Sequence, residues 1–198
     1  SIVTSSFVVL PAMVGLAVVA EPVVKLLLTD KWLPAVPFLQ ISCASYALWP
    51  IHTANLQAIN AFGRSDIFLK LEVIKKCIGV IILVITIPYG VYAMAWGSLV
   101  TGVVSLFINA YPNKKLLNYS YSEQLKDVLP SLQISLFMGV IVYALGYLNI
   151  ALWQLLILQV LVGAFIYIWF AWVSRVETID YLVSTVKEFI KGRKEIPS

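Results

Sequence analysis

"CIGVIILVITIPYGVYAMAWGSLVTGVVSLFINAYPN", residues 77–113, contains no Asp, Glu, Lys or Arg. At about 1.5 Å of rise per residue, roughly 20 apolar residues cross a hydrocarbon core about 30 Å thick. Pro88-Tyr89-Gly90 supplies the turn chemistry that divides this run between two spans, the first of which must begin before Cys77.

Working outward, charges are also missing from Ser1 to Ala20, from Trp32 to Gly63 and from Val128 to Ser174. Of the 198 residues 61% are hydrophobic and 12% charged, and the mean hydropathy is +0.91. An ordinary soluble domain carries about 25% charged residues, and a soluble core could not absorb this much apolar surface. The reading is an all-α integral membrane protein with a bundle of six transmembrane helices. Helix A takes residues 2–20, B about 34–60, C about 68–88, D about 92–112, E about 129–147 and F about 151–172. Residues 1–173 form this lobe and 174–198 a basic amphipathic tail. The chain starts without Met and its first residues read as an internal span, so a longer polypeptide is expected, with a missing N-terminal lobe upstream.

Basic residues sort by side. Lys25 and Lys31 fall in the A–B connection, whereas the other twelve of the fourteen Lys and Arg fall in the B–C region, the D–E loop and the tail. Because Lys and Arg accumulate in cytoplasmic loops, both ends of the chain are expected in the cytoplasm. Trp32, Tyr89, Tyr92, Tyr147 and Trp153 then mark the outer interface, and Tyr111, Tyr119, Tyr121, Trp169 and Trp172 the inner one. The tail places Val176, Ile179, Val183, Val186 and Ile190 on one face behind a capping box, Ser174-x-x-Glu177, and is expected to lie along the inner leaflet. "SYSEQLKD", with Ser120-x-x-Glu123, reads as a separate short helix of the same kind.

A net charge of +4 beside apolar runs points to membrane lipids or an anionic substrate as partners, not to nucleic acid. Cys43 and Cys77 have no metal-type spacing and read as packing residues. No catalytic motif, metal-ligand set or cofactor signature is present, and there is one histidine, His52.

Helix B carries the polar side chains of interest. Ser42, Ser45, Trp49, His52, Thr53 and Asn60 share an arc of roughly 100° on a helix of 100° per residue. In lipid such a stripe faces other helices or a water-filled cavity. Hydrogen bonding between helices and a cavity wall that binds a polar solute, with Trp49 stacking on a sugar face, both satisfy it. In helix D, Ala93, Gly97 and Thr101, and again Ser98, Gly102 and Ser105, form a small-xxx-small pattern that reads as packing. Helix C is short beyond its charges, so Lys75 and Lys76 either snorkel from the inner half of the membrane or line a cytoplasm-facing vestibule and meet a phosphate. Glu72 lies one turn earlier, within pairing distance of both. No carboxylate lies in the apolar middle of any span, so a site for proton- or sodium-coupled antiport is not expected here.

The run "LQAINAFGRSDIFLKLEVIKK", followed by "IPYGVYAMAWGSLVTGVVSLFINAYPNKKLLNYSYSEQLKDVLPSL", resembles the C-terminal half of bacterial polysaccharide flippases of the multidrug/oligosaccharidyl-lipid/polysaccharide exporter superfamily. That resemblance implies a two-lobed, alternating-access transporter of the inner membrane. Its cargo is an undecaprenyl-pyrophosphate-linked oligosaccharide destined for O-antigen, capsule or exopolysaccharide. Ser45, Trp49, His52, Thr53 and Asn60 are then candidates for a sugar-facing wall, and Arg64, Lys75 and Lys76 for contact with the pyrophosphate. A multidrug or amphiphile exporter of the same fold is the alternative; a glycan or polyprenyl transferase would need clustered Asp, His or Arg.

Overall fold

The structure is a computed structural model and describes residues 2–116 and 119–173. The tail helix and its capping box at Ser174 lie outside these residues. Eight α-helices and two 3-10 turns account for the described secondary structure: α1 (Ile2–Val18), α2 (Ala20–Leu28), a 3-10 turn (Asp30–Ala35), α3 (Val36–Ala47), α4 (Trp49–Ala61), α5 (Ser65–Thr86), a second 3-10 turn (Ile87–Tyr89), α6 (Val91–Leu116), α7 (Tyr121–Leu145) and α8 (Leu152–Val173).

Two expected spans are broken. Helix A continues past residue 20 as α2, which turns from α1 by 66°. Pro22 has no N–H to return to the preceding turn, and at the bend Gln40 donates its side-chain amide to the Ala17 carbonyl at 3.1 Å. Helix B divides at Leu48 into α3 and α4 because Pro50, in the first turn of α4, cannot continue the ladder. Leu48 closes α3 with a short-range bond to the Ser45 carbonyl instead.

The turn after α4 has a local cause that the sequence "FGRS" spells out. Gly63 adopts φ 67°, its N–H donates to the Asn60 carbonyl, and the Arg64 N–H reaches the Ile59 carbonyl. This is a Schellman closure, in which the residue at positive φ is most cheaply glycine. Gly90, at φ 90°, ends the second 3-10 turn between α5 and α6 with its N–H on the Ile87 carbonyl.

At the other boundary the expected capping box forms, with Ser120 Oγ accepting from the Glu123 N–H while Glu123 accepts from the Ser120 N–H. The helix it starts is not a separate one, however. "SYSEQLKD" runs through Pro130 into the expected helix E as a single α7. Among the described residues, three helices, Val91–Lys114, α7 and α8, are long and apolar enough to cross a membrane, with a fourth if the bent pair of α1 and α2 counts as one span.

The packing has a dense side and a loose side. α1, α7 and α8 share a core of Phe7, Val19, Ile134, Met138, Val142, Tyr167 and Ala171. Close approach is set by glycines: a Cβ on Gly139 would lie 2.8 Å from Val14, and one on Gly163 3.1 Å from Val142. A second cluster, Ile2, Leu10, Ile51 and Val128, joins α4 to α1 and α7. By contrast α5 buries Leu71 alone and leans on α6, where Gly97 sits against Ile82 and Thr86.

Pro11 in the middle of α1 deprives the Phe7 carbonyl of its helical donor. The Tyr167 hydroxyl, from α8, donates to that carbonyl at 2.8 Å, and the two rings pack with centroids 5.1 Å apart. Tyr167→Phe keeps the ring contact and orphans the carbonyl. We expect it to lower stability in detergent by roughly 0.6–1.7 kcal/mol. In a Pro11→Ala background, where the restored backbone N–H can serve the carbonyl, the same change should cost less; additive losses in that double-mutant cycle would refute the assignment.

Candidate polar cavity between α4, α5 and α6

Where α5 stands off from α4, a cavity of about 500 Å³ opens between α4, α5 and α6. Its α4 wall carries Trp49, His52 and Leu56, its α5 wall Glu72, Lys75, Lys76 and Gly79, and its α6 wall Ser98, Thr101, Gly102, Ser105 and Asn109. Four of the eight residues singled out in the sequence, Trp49, His52, Lys75 and Lys76, therefore meet in one place.

The two lysines are not loop charges. Helix α5 begins at Ser65, three residues before the expected start of helix C, and its 22 residues extend about 33 Å. Lys75 is near its mid-length. Glu72 accepts a close hydrogen bond from Lys75, whose side chain is 13% exposed, while Lys76 is exposed and makes no ion pair among the described residues. In a hydrocarbon environment, charges at such a depth are sustained by pairing or by a wet cavity.

The remaining four candidates lie elsewhere. The Ser45 hydroxyl turns back to the Ile41 carbonyl at 3.1 Å, Thr53 is half-buried outside the cavity lining, and Asn60 is exposed at the end of α4. Arg64 grips Asp66 through two hydrogen bonds of 2.9 and 3.1 Å, both groups exposed at the start of α5. That bidentate pair holds the Asp66 carboxyl down at about 2, and it occupies the guanidinium fork. The single arc read along helix B is interrupted physically at Leu48, so its two halves no longer share one face.

Two features escaped the sequence reading. Ser98, Thr101, Gly102 and Ser105, read there as a packing stripe, line the cavity, whereas Gly97 is pressed against Ile82 and Thr86 of α5, and Thr101 also lies against Gly79 of that helix. Following the stripe one turn further to Asn109, and another to Asn113, would have flagged two amides in the charge-free run 77–113. Both are 1% exposed. Asn109 donates to His52 Nδ1 at 3.1 Å. Asn113 donates to the Asn55 side chain at 2.7 Å and to the Asn55 carbonyl at 2.9 Å, and Asn55 in turn donates to Gln124 at 2.8 Å. This buried amide cluster clamps α4, α6 and α7 beside the cavity. It fixes the α4 and α6 walls while α5, with little buried surface, closes the third side.

Comparison with known proteins agrees with this architecture. Residues 1–37 match the family described as "Polysaccharide biosynthesis protein". An "Uncharacterized membrane protein in cps region" of Klebsiella pneumoniae is 27% identical over 124 residues, which make up 63% of this chain and 24% of that protein. Among solved structures, the lipid II flippase MurJ in an inward closed conformation superposes with a TM-score of 0.75 at 19% identity, covering 90% of this chain and 38% of that one. The chain thus shares the fold of part of that structure and spans well under half the length of either protein. The resemblance to polysaccharide flippases is borne out, and the chain is a multi-pass membrane protein.

If the cavity is wet, cysteines within it should react with a charged methanethiosulfonate, because thiolate chemistry needs water. With Cys43 and Cys77 replaced by Ala, a cysteine at Lys76 or Ser105 should label at least about tenfold faster than one at the outward-facing Ile74, following thiolate access. Equal rates at the three positions would show that the cavity is closed to water.

Proposed function

We propose that this chain is one lobe of an alternating-access flippase that carries an undecaprenyl-pyrophosphate-linked oligosaccharide across the bacterial inner membrane for cell-surface polysaccharide assembly. The carrying observation is the cavity itself, where Lys75 and Lys76 oppose a wall of hydroxyl and amide groups beside an exposed Trp49. A pyrophosphate demands cations and a sugar demands hydrogen-bonding groups with an aromatic face.

In this reading the lobe crosses the membrane six times, with α1 and α2 as one crossing, α3 and α4 as another, and α5 to α8 as four more. Both ends of the chain then lie in the cytoplasm, in keeping with the twelve basic residues on that side. A second lobe of the same polypeptide faces the cavity and completes it, as two-lobed transporters bind their cargo between repeats. The protein performs no covalent chemistry and needs no cofactor. Lys75 and Lys76 hold the pyrophosphate, Trp49 and His52 border the sugar, and membrane lipids receive the polyprenyl chain. Glu72 neutralises Lys75 while the site is empty. When pyrophosphate enters, Lys75, with three ammonium protons, holds Glu72 and a phosphate oxygen together, so neither member of the pair is left alone at that depth. Ser45, Thr53, Asn60 and Arg64 stand outside this cavity and take no part in the binding step so described.

Lys75→Gln together with Lys76→Gln removes two charge-assisted contacts. At about 1.5–3 kcal/mol for a hydrogen bond to a charged group, transport should fall by tenfold or more. The measurement is surface polysaccharide in a strain that depends on the full-length variant, with its membrane level checked by immunoblot. Unchanged polymer at normal protein level would overturn the assignment, and Arg64→Gln serves as the comparison expected to leave polymer near wild type.

A further inference from the structure

The α6 wall differs from the α5 wall in the sign of what it offers. Ser98 donates its hydroxyl proton to the Ala95 carbonyl at 2.7 Å, and Thr101 donates to the Gly97 carbonyl at 2.9 Å. With their protons engaged on their own helix, both oxygens present acceptor lone pairs to the cavity. Asn109 extends this set. Its Nδ2 donates to His52 Nδ1, so that nitrogen is unprotonated and the ring carries its proton on Nε2. In this arrangement the Asn109 Oδ1 is left without any hydrogen-bond partner although the residue is 1% exposed and lines the cavity. A buried amide oxygen left unpaired in such surroundings is costly unless a ligand supplies a donor.

From this geometry we infer that Asn109 is the specificity-determining acceptor of the site: its Oδ1 takes a hydroxyl or acetamido N–H of the sugar next to the pyrophosphate, with His52 as the residue that positions it. The inference rests on the flippase reading above and adds which wall reads the glycan. Lys75 and Lys76 recognise any polyprenyl pyrophosphate, because charge carries no information about the sugar. The acceptor row on α6 recognises only a ligand that brings donors. Sugars bring them and a bare pyrophosphate does not.

The test uses the full-length protein in lipid nanodiscs and two kinds of probe, farnesyl diphosphate and a panel of farnesyl-diphosphate-linked hexoses and N-acetylhexosamines. For the wild type, at least one sugar-bearing probe should bind more tightly than bare farnesyl diphosphate. Asn109→Leu should reduce that ratio roughly tenfold, the usual worth of a lost hydrogen bond with its partner left buried. His52→Leu should reduce it as well, since the amide is then free to turn, whereas His52→Gln, whose side-chain oxygen accepts the same Asn109 N–H, should preserve it. A merely structural role would lower affinity for both probe types together and leave the ratio unchanged, and that outcome, in either leucine variant, overturns the inference. Wild type that binds bare and sugar-bearing probes equally also overturns it while leaving the flippase reading intact. Wild type that binds neither defeats both.

Discussion

Inside a membrane a polar group has no water to fall back on, and each break in a helix exposes carbonyls that must be answered by another part of the chain. The described structure is organised around those answers. Pro11 frees the Phe7 carbonyl and Tyr167 fills it. The bend after α1 is met by Gln40 on the Ala17 carbonyl. At the end of α7 the Gly146 N–H turns to the Tyr143 carbonyl, and Gln159 of α8 donates to Val142 at 3.0 Å. The bonds from Tyr167, Gln40 and Gln159 each join a local irregularity to another helix, so the irregularities themselves dictate which helices stay together.

This produces two regions of different character. On the α1, α7 and α8 side, glycines bring the backbones close and the polar bonds are single and specific. On the α4, α5 and α6 side the helices separate, and polar side chains line the gap. Between the two regions lies the Asn55, Asn113 and Gln124 cluster, which anchors α4 and α6 to α7. A transporter lobe needs such a division, since the packed part preserves shape while the cavity changes its occupants. Helix α5, bound mainly along α6, is the wall with the least holding it in place.

The charged residues follow the same logic at higher cost. Arg64 and Asp66 pair at the exposed start of α5, where the pairing contributes little to stability. Glu72 and Lys75 pair deep along the same helix, where leaving either alone would be expensive. Lys76 has no such partner among the described residues and borders the space between helices that the fold leaves open. One helix therefore carries a surface pair, an internal pair and a cation at the cavity, and depth distinguishes their roles.

Composition alone determined that the chain lies in a membrane, because apolar runs of that length have no other stable environment. The residue pattern also marked Lys75 and Lys76 as charges within a helix and Ser120 as a helix start, since those features depend on local chemistry. Only the tertiary structure decided that helix B is two helices, that α7 absorbs the short helix before it, and that Asn55, Asn109, Asn113 and Gln124 are the buried polar centre. Helical periodicity tells which side of a helix is polar, and prolines tell where a ladder can fail. Neither says which carbonyl a distant Tyr or Asn will reach, because that is settled by the packing of helices far apart in the chain. For the same reason the row from Ser98 to Ser105 read as a packing stripe: small residues permit a close neighbour, but whether one comes close or leaves a cavity is determined by every other contact α5 and α6 make.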